Sequence, residues 1–70
     1  MKTMRQAVMA AVERQSAPAA GRVADICRFK YKMTYMETYE WVCSIAPISL
    51  ANWDRLLYDA DTLFDGQGGV

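Results

Sequence analysis

Twice in this chain a threonine stands three residues ahead of a side-chain amide or carboxylate, at Thr3–Gln6 and at Thr34–Glu37. That spacing is a capping box. The threonine oxygen accepts from the amide of the third helical residue, and the longer side chain reaches back to the threonine N–H. Each box fixes a helix start. Pro18 and Pro47 add expected stops, because the residue before a proline is pushed out of helical conformation. In seventy residues, helices pinned at these points leave no room for a sheet of consequence.

Apolar spacing fills in the helices. Met4, Val8, Ala11 and Val12 fall on one helical face, and Ser16-Ala17-Pro18 is expected to end that helix. A second helix is predicted from Ala19 or Ala20 to Lys30, with Ala20, Val23, Ala24, Cys27 and Tyr31 inward. The third runs from the Thr34 box through Ile45 and stops before Pro47; Tyr35, Tyr39, Val42 and Ala46 share its inner face, flanked by Met36 and Cys43. Ser49 caps the fourth, where Trp53, Leu56, Leu57, Ala60, Leu63 and Phe64 make the cleanest amphipathic pattern. Gly66 is its expected stop, so residues 1–65 read as a single helical domain and 66–70 as a flexible tail. The expected fold is all-α: a compact bundle of three to four short helices.

Residues 23–29, the connector Lys30 to Thr34, and residues 35–42 resemble the helix-turn-helix of small bacterial and phage regulators. A Val-Ala-Asp-Ile first helix leads through a short turn to a second helix opened by threonine, with Trp41-Val42 near its end. The resemblance implies a DNA-binding transcriptional regulator. Its recognition helix would, however, present Glu37, Glu40, Trp41 and Ser44 outward. Carboxylates are repelled by phosphate, and guanine and adenine edges pair with Arg, Lys, Asn or Gln instead. Glu37, Glu40 and Trp41 suit a protein partner better, with the tryptophan as anchor and the acids as a steering rim. The plainer alternative makes Trp41 a core residue and the glutamates solvated.

The net charge of zero hides a split. Residues 1–34 carry seven cations against two carboxylates, and residues 35–70 carry one cation against six carboxylates. Such asymmetry points to charged partners. Asp59, Asp61 and Asp65 crowd the expected C-terminal end of the last helix, where the helix dipole disfavours anions. They either solubilise the chain or meet a basic surface. Arg22, Arg28, Lys30 and Lys32 are the candidates for nucleic-acid contact, or else form a solvated face.

Catalytic chemistry finds no material. With no histidine, a general base would have to be a carboxylate, and none falls in an expected apolar pocket. Cys27 and Cys43 are sixteen positions apart without a CxxC, so neither zinc nor another metal site is expected, and both read as buried free thiols. No phosphate-binding glycine motif occurs, and no cofactor is expected. The N-terminal apolar run is too short for a signal peptide, no stretch approaches a membrane span, and the chain reads as cytoplasmic. A content of 53% apolar residues exceeds what so small a globule easily buries, so Met4, Met9, Phe29, Trp41 and Tyr58 include side chains expected to face a neighbour, most simply in a homodimer. The expected function is a small, non-enzymatic regulator that binds and inhibits or remodels a protein with a basic surface, in the style of a phage antirepressor. The alternatives are the DNA-binding regulator and a structural assembly subunit.

Overall fold

The computed structural model describes the backbone of residues 3–68 and the side chains of residues 3–62. Four helices follow one another: α1 (Met4–Glu13), α2 (Ala17–Asp25), α3 (Tyr35–Ile45) and α4 (Leu50–Gly68), with a π-helical turn, Ile26–Lys30, continuing α2. No strand occurs among the described residues, and the all-α bundle is the fold. The central element is α2, which packs along α1 and α4, while α3 rests on α1 and on the π-helical turn.

Both capping boxes form. Thr3 and Gln6 exchange their two bonds at 3.0 and 3.2 Å, and Thr34 and Glu37 theirs at 2.8 and 3.1 Å. The Ser49 hydroxyl accepts from the Asn52 amide at 3.2 Å, which caps α4.

The first stop arises differently from the expectation. Pro18 does not end α1; it sits in the first turn of α2, where its missing N–H has no helical partner to lose. Ser16, assigned above to the end of the first helix, is the N-cap of the second and accepts from the Ala19 amide. The end of α1 is a Schellman-type turn: the Ser16 amide reaches back to the Ala11 carbonyl at 3.2 Å, with Gln15 left-handed at φ 53°. The Gln15 side chain donates to the Val12 carbonyl at 2.8 Å, satisfying a group that the helix end leaves free.

Val8, Ala11, Val12, Ala20, Val23, Cys27, Val42, Ala46, Trp53 and Leu56 form one core. Several inward assignments change: Met4, Ala24 and Tyr39 are half-buried, and Met36, on the flank of the α3 face, is exposed. Tyr31 is exposed: it caps the π-helical turn, its amide bonded to the Ile26 carbonyl at 3.3 Å, and the chain leaves the helix at left-handed Lys32. Tyr35 is exposed as well; it opens α3, and Thr38 takes the buried place one turn on. Thr38 can be buried because its hydroxyl donates to the Thr34 carbonyl at 2.9 Å. Leu57 is only half-buried, so α4 buries Trp53, Leu56 and Ala60 at a spacing of three and four. Cys43 is half-buried and donates to the Ile48 carbonyl at 3.3 Å, alongside the Tyr39 hydroxyl at 2.7 Å. The two donors clip the Ala46–Ser49 turn onto α3.

Gly66 is not the stop of α4, which continues to Gly68. The side chains of Leu63, Phe64 and Asp65 and the outermost tail lie outside the described residues. The Cα radius of gyration is 11.5 Å, close to the ~11 Å of a well-packed chain of this length.

Candidate functional site

Between α2, the start of α3 and α4 lies a groove of about 700 Å³. Small side chains create it. Gly21 and Ala24 on α2 face Ala60 on α4, and a Cβ at Gly21 would stand 2.9 Å from that of Ala60. The helices therefore touch at Gly21, and the missing side chains leave space beside the contact. Trp53, Thr38, Ala24, Leu57 and Ala60 supply its buried and half-buried lining.

Its exposed lining is polar, and its charges are mostly acidic. Among the described residues it comprises Asp25, Asp54 and Asp61, one guanidinium, Arg28, and Thr34, Tyr35 and Tyr58. The Tyr35 hydroxyl donates to the Asp54 carboxylate, tying the start of α3 to α4 across the groove. That bond accounts for the outward turn of Tyr35.

Under this lining one donor is left over. The Trp53 side chain is fully buried, and its indole N–H finds no acceptor among the described residues. A buried donor without a partner costs ~1–3 kcal/mol, so the position is held for its bulk against the strain of that group.

A second surface lies at the end of α2. Arg28, Phe29, Lys30, Tyr31 and Lys32 are all exposed, Phe29 at 61% and Tyr31 at 55%. The Arg28 guanidinium lies 5.2 Å from the centre of the Phe29 ring, and the Lys30 ammonium 5.6 Å from that of Tyr31, both within cation–π range. Lys32 is left-handed at φ 57° and ends the segment, with the Met33 amide bonded back to the Cys27 carbonyl at 3.0 Å.

The acidic candidates are not gathered into one patch. Asp61 lines the groove, whereas Glu37, Glu40, Trp41 and Asp59 do not. Glu37 is exposed, and its carboxylate is engaged by the Thr34 N–H, which holds its pKa below the ordinary value. Trp41 is half-buried and packs against the core, so it is not an open anchor. Asp59 and Asp61 are exposed but stand well before the last turn of α4, so the dipole argument does not apply to them.

Of the basic candidates, Arg28 lines the groove, while Lys30 and Lys32 lie beside it in chain order and Arg22 is exposed on α2. Two features escaped the sequence reading. Asp25 and Asp54 face one groove only because α2 and α4 cross there, which no local pattern shows. The pairing of Phe29 and Tyr31 with the cations was visible as an alternation over 28–32, but a regular helical period placed Tyr31 inside.

Other chemistry is muted. The Cys27 thiol is buried, which pushes its pKa up, only partly offset by its bond with Thr38; it stays protonated at neutral pH. The Ser44 hydroxyl donates to the Trp41 carbonyl at 2.6 Å. Among the described residues, no three His, Cys, Asp or Glu side chains come together as a cation site, and no helix is long and apolar enough to cross a membrane. Comparison with models of protein families, with characterised proteins and with solved structures found no match to this chain.

Proposed function

We propose that this protein is a small non-enzymatic regulator that holds a basic segment of a partner protein in the groove between α2 and α4, and acts by occupying that segment. The observation that carries the reading is the groove itself: an apolar interior lined at its exposed edge, among the described residues, by three carboxylates and one guanidinium. A segment with lysine or arginine beside an aliphatic side chain satisfies both parts. Its charges meet Asp25 and Asp61 at the rim, where they raise the association rate, and its apolar side chain fills the space over Ala24 and Leu57.

The charge on α3 weighs against direct reading of duplex DNA. The exposed side of the helix that the helix-turn-helix resemblance would place in the major groove carries Glu37 and Glu40. Self-association belongs to the same proposal, since Met36, Leu50 and Tyr58 are exposed in the isolated chain. A monomer by light scattering would assign those side chains to the partner alone.

The test is titration with synthetic helical peptides that share an aliphatic face and differ only in carrying lysine or glutamate. The lysine peptide should bind, and Asp25→Lys with Asp61→Lys should abolish binding without changing the circular dichroism spectrum. Trp53→Phe removes the unpaired donor and should leave peptide affinity almost unchanged. Equal binding of both peptides, or lysine-peptide binding that survives the double reversal, would overturn the reading.

A further inference from the structure

We propose that the exposed segment 28–32 is a second binding site, for single-stranded nucleic acid, in which Phe29 and Tyr31 stack on bases and Lys30 and Lys32, with Arg28, neutralise the adjoining phosphates. The site is separate from the peptide groove. Only Arg28 lies on both.

Composition supplies the first part of the argument. From 28 to 32 the chain reads cation, aromatic, cation, aromatic, cation, and no carboxylate occurs between Asp25 and Glu37. Non-specific single-strand binders combine these two elements, because every base has a face to stack on and every nucleotide a charge to neutralise.

Backbone geometry supplies the second. Continued as a regular helix, this stretch would turn Tyr31 onto the face of Cys27. Instead the helix ends in a π-helical turn capped by Tyr31, the chain turns away at left-handed Lys32, and both rings and all three cations are exposed. Two large exposed rings serve no packing purpose there, and π-helical turns concentrate at functional positions.

The arrangement selects among anionic surfaces. Reading a duplex needs a helix or ribbon that enters a groove, whereas these side chains sit on a turn. A membrane would take the rings into its apolar boundary and leave the cations behind, yet here Arg28 and Lys30 lie over the faces of Phe29 and Tyr31, at 5.2 and 5.6 Å. For a single strand that closeness is useful: the ring offers one face to a base while the cation stays at the height of the flanking phosphate.

Fluorescence polarisation with labelled DNA and RNA single strands of about ten nucleotides tests the proposal. Phe29→Ala and Tyr31→Ala should each weaken binding about tenfold or more. Phe29→Leu should weaken it similarly, since leucine keeps apolar bulk without a stacking face. Lys30→Ala with Lys32→Ala should reduce the slope of log affinity against log salt by about 1.4, from ~0.7 per phosphate contact. All of these side chains are exposed, so melting curves should stay near the parent's. No saturation at about 10⁻⁴ M protein in low salt, the weak end of non-specific nucleic-acid binding, would overturn the proposal. So would binding to duplex that matches single strands and ignores the aromatic substitutions, or binding to anionic vesicles that Phe29→Leu preserves. Asp25→Lys with Asp61→Lys should not weaken oligonucleotide binding, which keeps this site's failure distinct from that of the peptide groove.

Discussion

Around Gly21 the chain has no room for one more carbon, while a few residues further on Phe29 and Tyr31 stand in solvent. The two regions belong to one continuous helical stretch, and the contrast shows how the molecule divides its work. Where α2 crosses α4, small residues let two backbones close on each other, and the fully buried Trp53 fills the space beneath. Where α2 loosens into a π-helical turn, only the small Cys27 is fully buried, and the side chains of residues 28–32 are exposed to meet another molecule. Stability should therefore reside chiefly in the crossing, and the side chains of the turn should add little to it.

The largest test of that division is Trp53→Ala. Removing a fully buried indole should cost ~3–5 kcal/mol, enough to unfold most of a domain this small, as loss of the helical spectrum at room temperature. Survival with only a slightly lowered melting temperature would mean that the crossing is not the stable part. Gly21→Leu comes next, at ~1–3 kcal/mol of overpacking against Ala60, read by urea denaturation. Gly21→Ala combined with Ala60→Gly should recover part of what Gly21→Ala alone loses, because the two Cβ atoms compete for one place.

A smaller effect is expected at the Thr34 cap, which follows the turn and opens α3. Thr34→Ala should cost about 1 kcal/mol. The Glu37 half of the box is pH-dependent. Its folded pKa is lowered, so its contribution is present above the unfolded carboxylate value and is lost as pH falls through the folded one. Melting temperature followed through that acidic range should fall less steeply for Glu37→Gln, which keeps the reach-back bond without a titrating group. The smallest effect should come from Phe29→Ala with Tyr31→Ala, within about 0.5 kcal/mol of the parent. A clear loss there would give the turn a structural role and narrow the contrast.

Much of the fold was legible along the chain, and most of the groove was not. Thr3, Thr34 and Ser49 announced their helices because a cap is a contact between residues three apart. The inner face of α1 followed from its spacing for a similar reason: Val8, Ala11 and Val12 need only a regular period to share a side. Tyr35 shows where that logic ends. Its period points inward, but the Asp54 carboxylate nineteen residues away offers its hydroxyl a partner, and Thr38 is buried in its place.

Local sequence determined that this protein is helical, where three of its four helices begin, and that its charge is divided between two halves, because each of these depends on neighbours along the chain. Tertiary structure alone decided that Asp25, Asp54 and Asp61 share one groove, that Trp41 is half-buried, and that Tyr31 points outward. The physical reason is that these outcomes depend on how α2 and α4 cross and on where the chain leaves the π-helical turn. The crossing is set by two small residues, Gly21 and Ala60, whose significance appears only when their backbones meet.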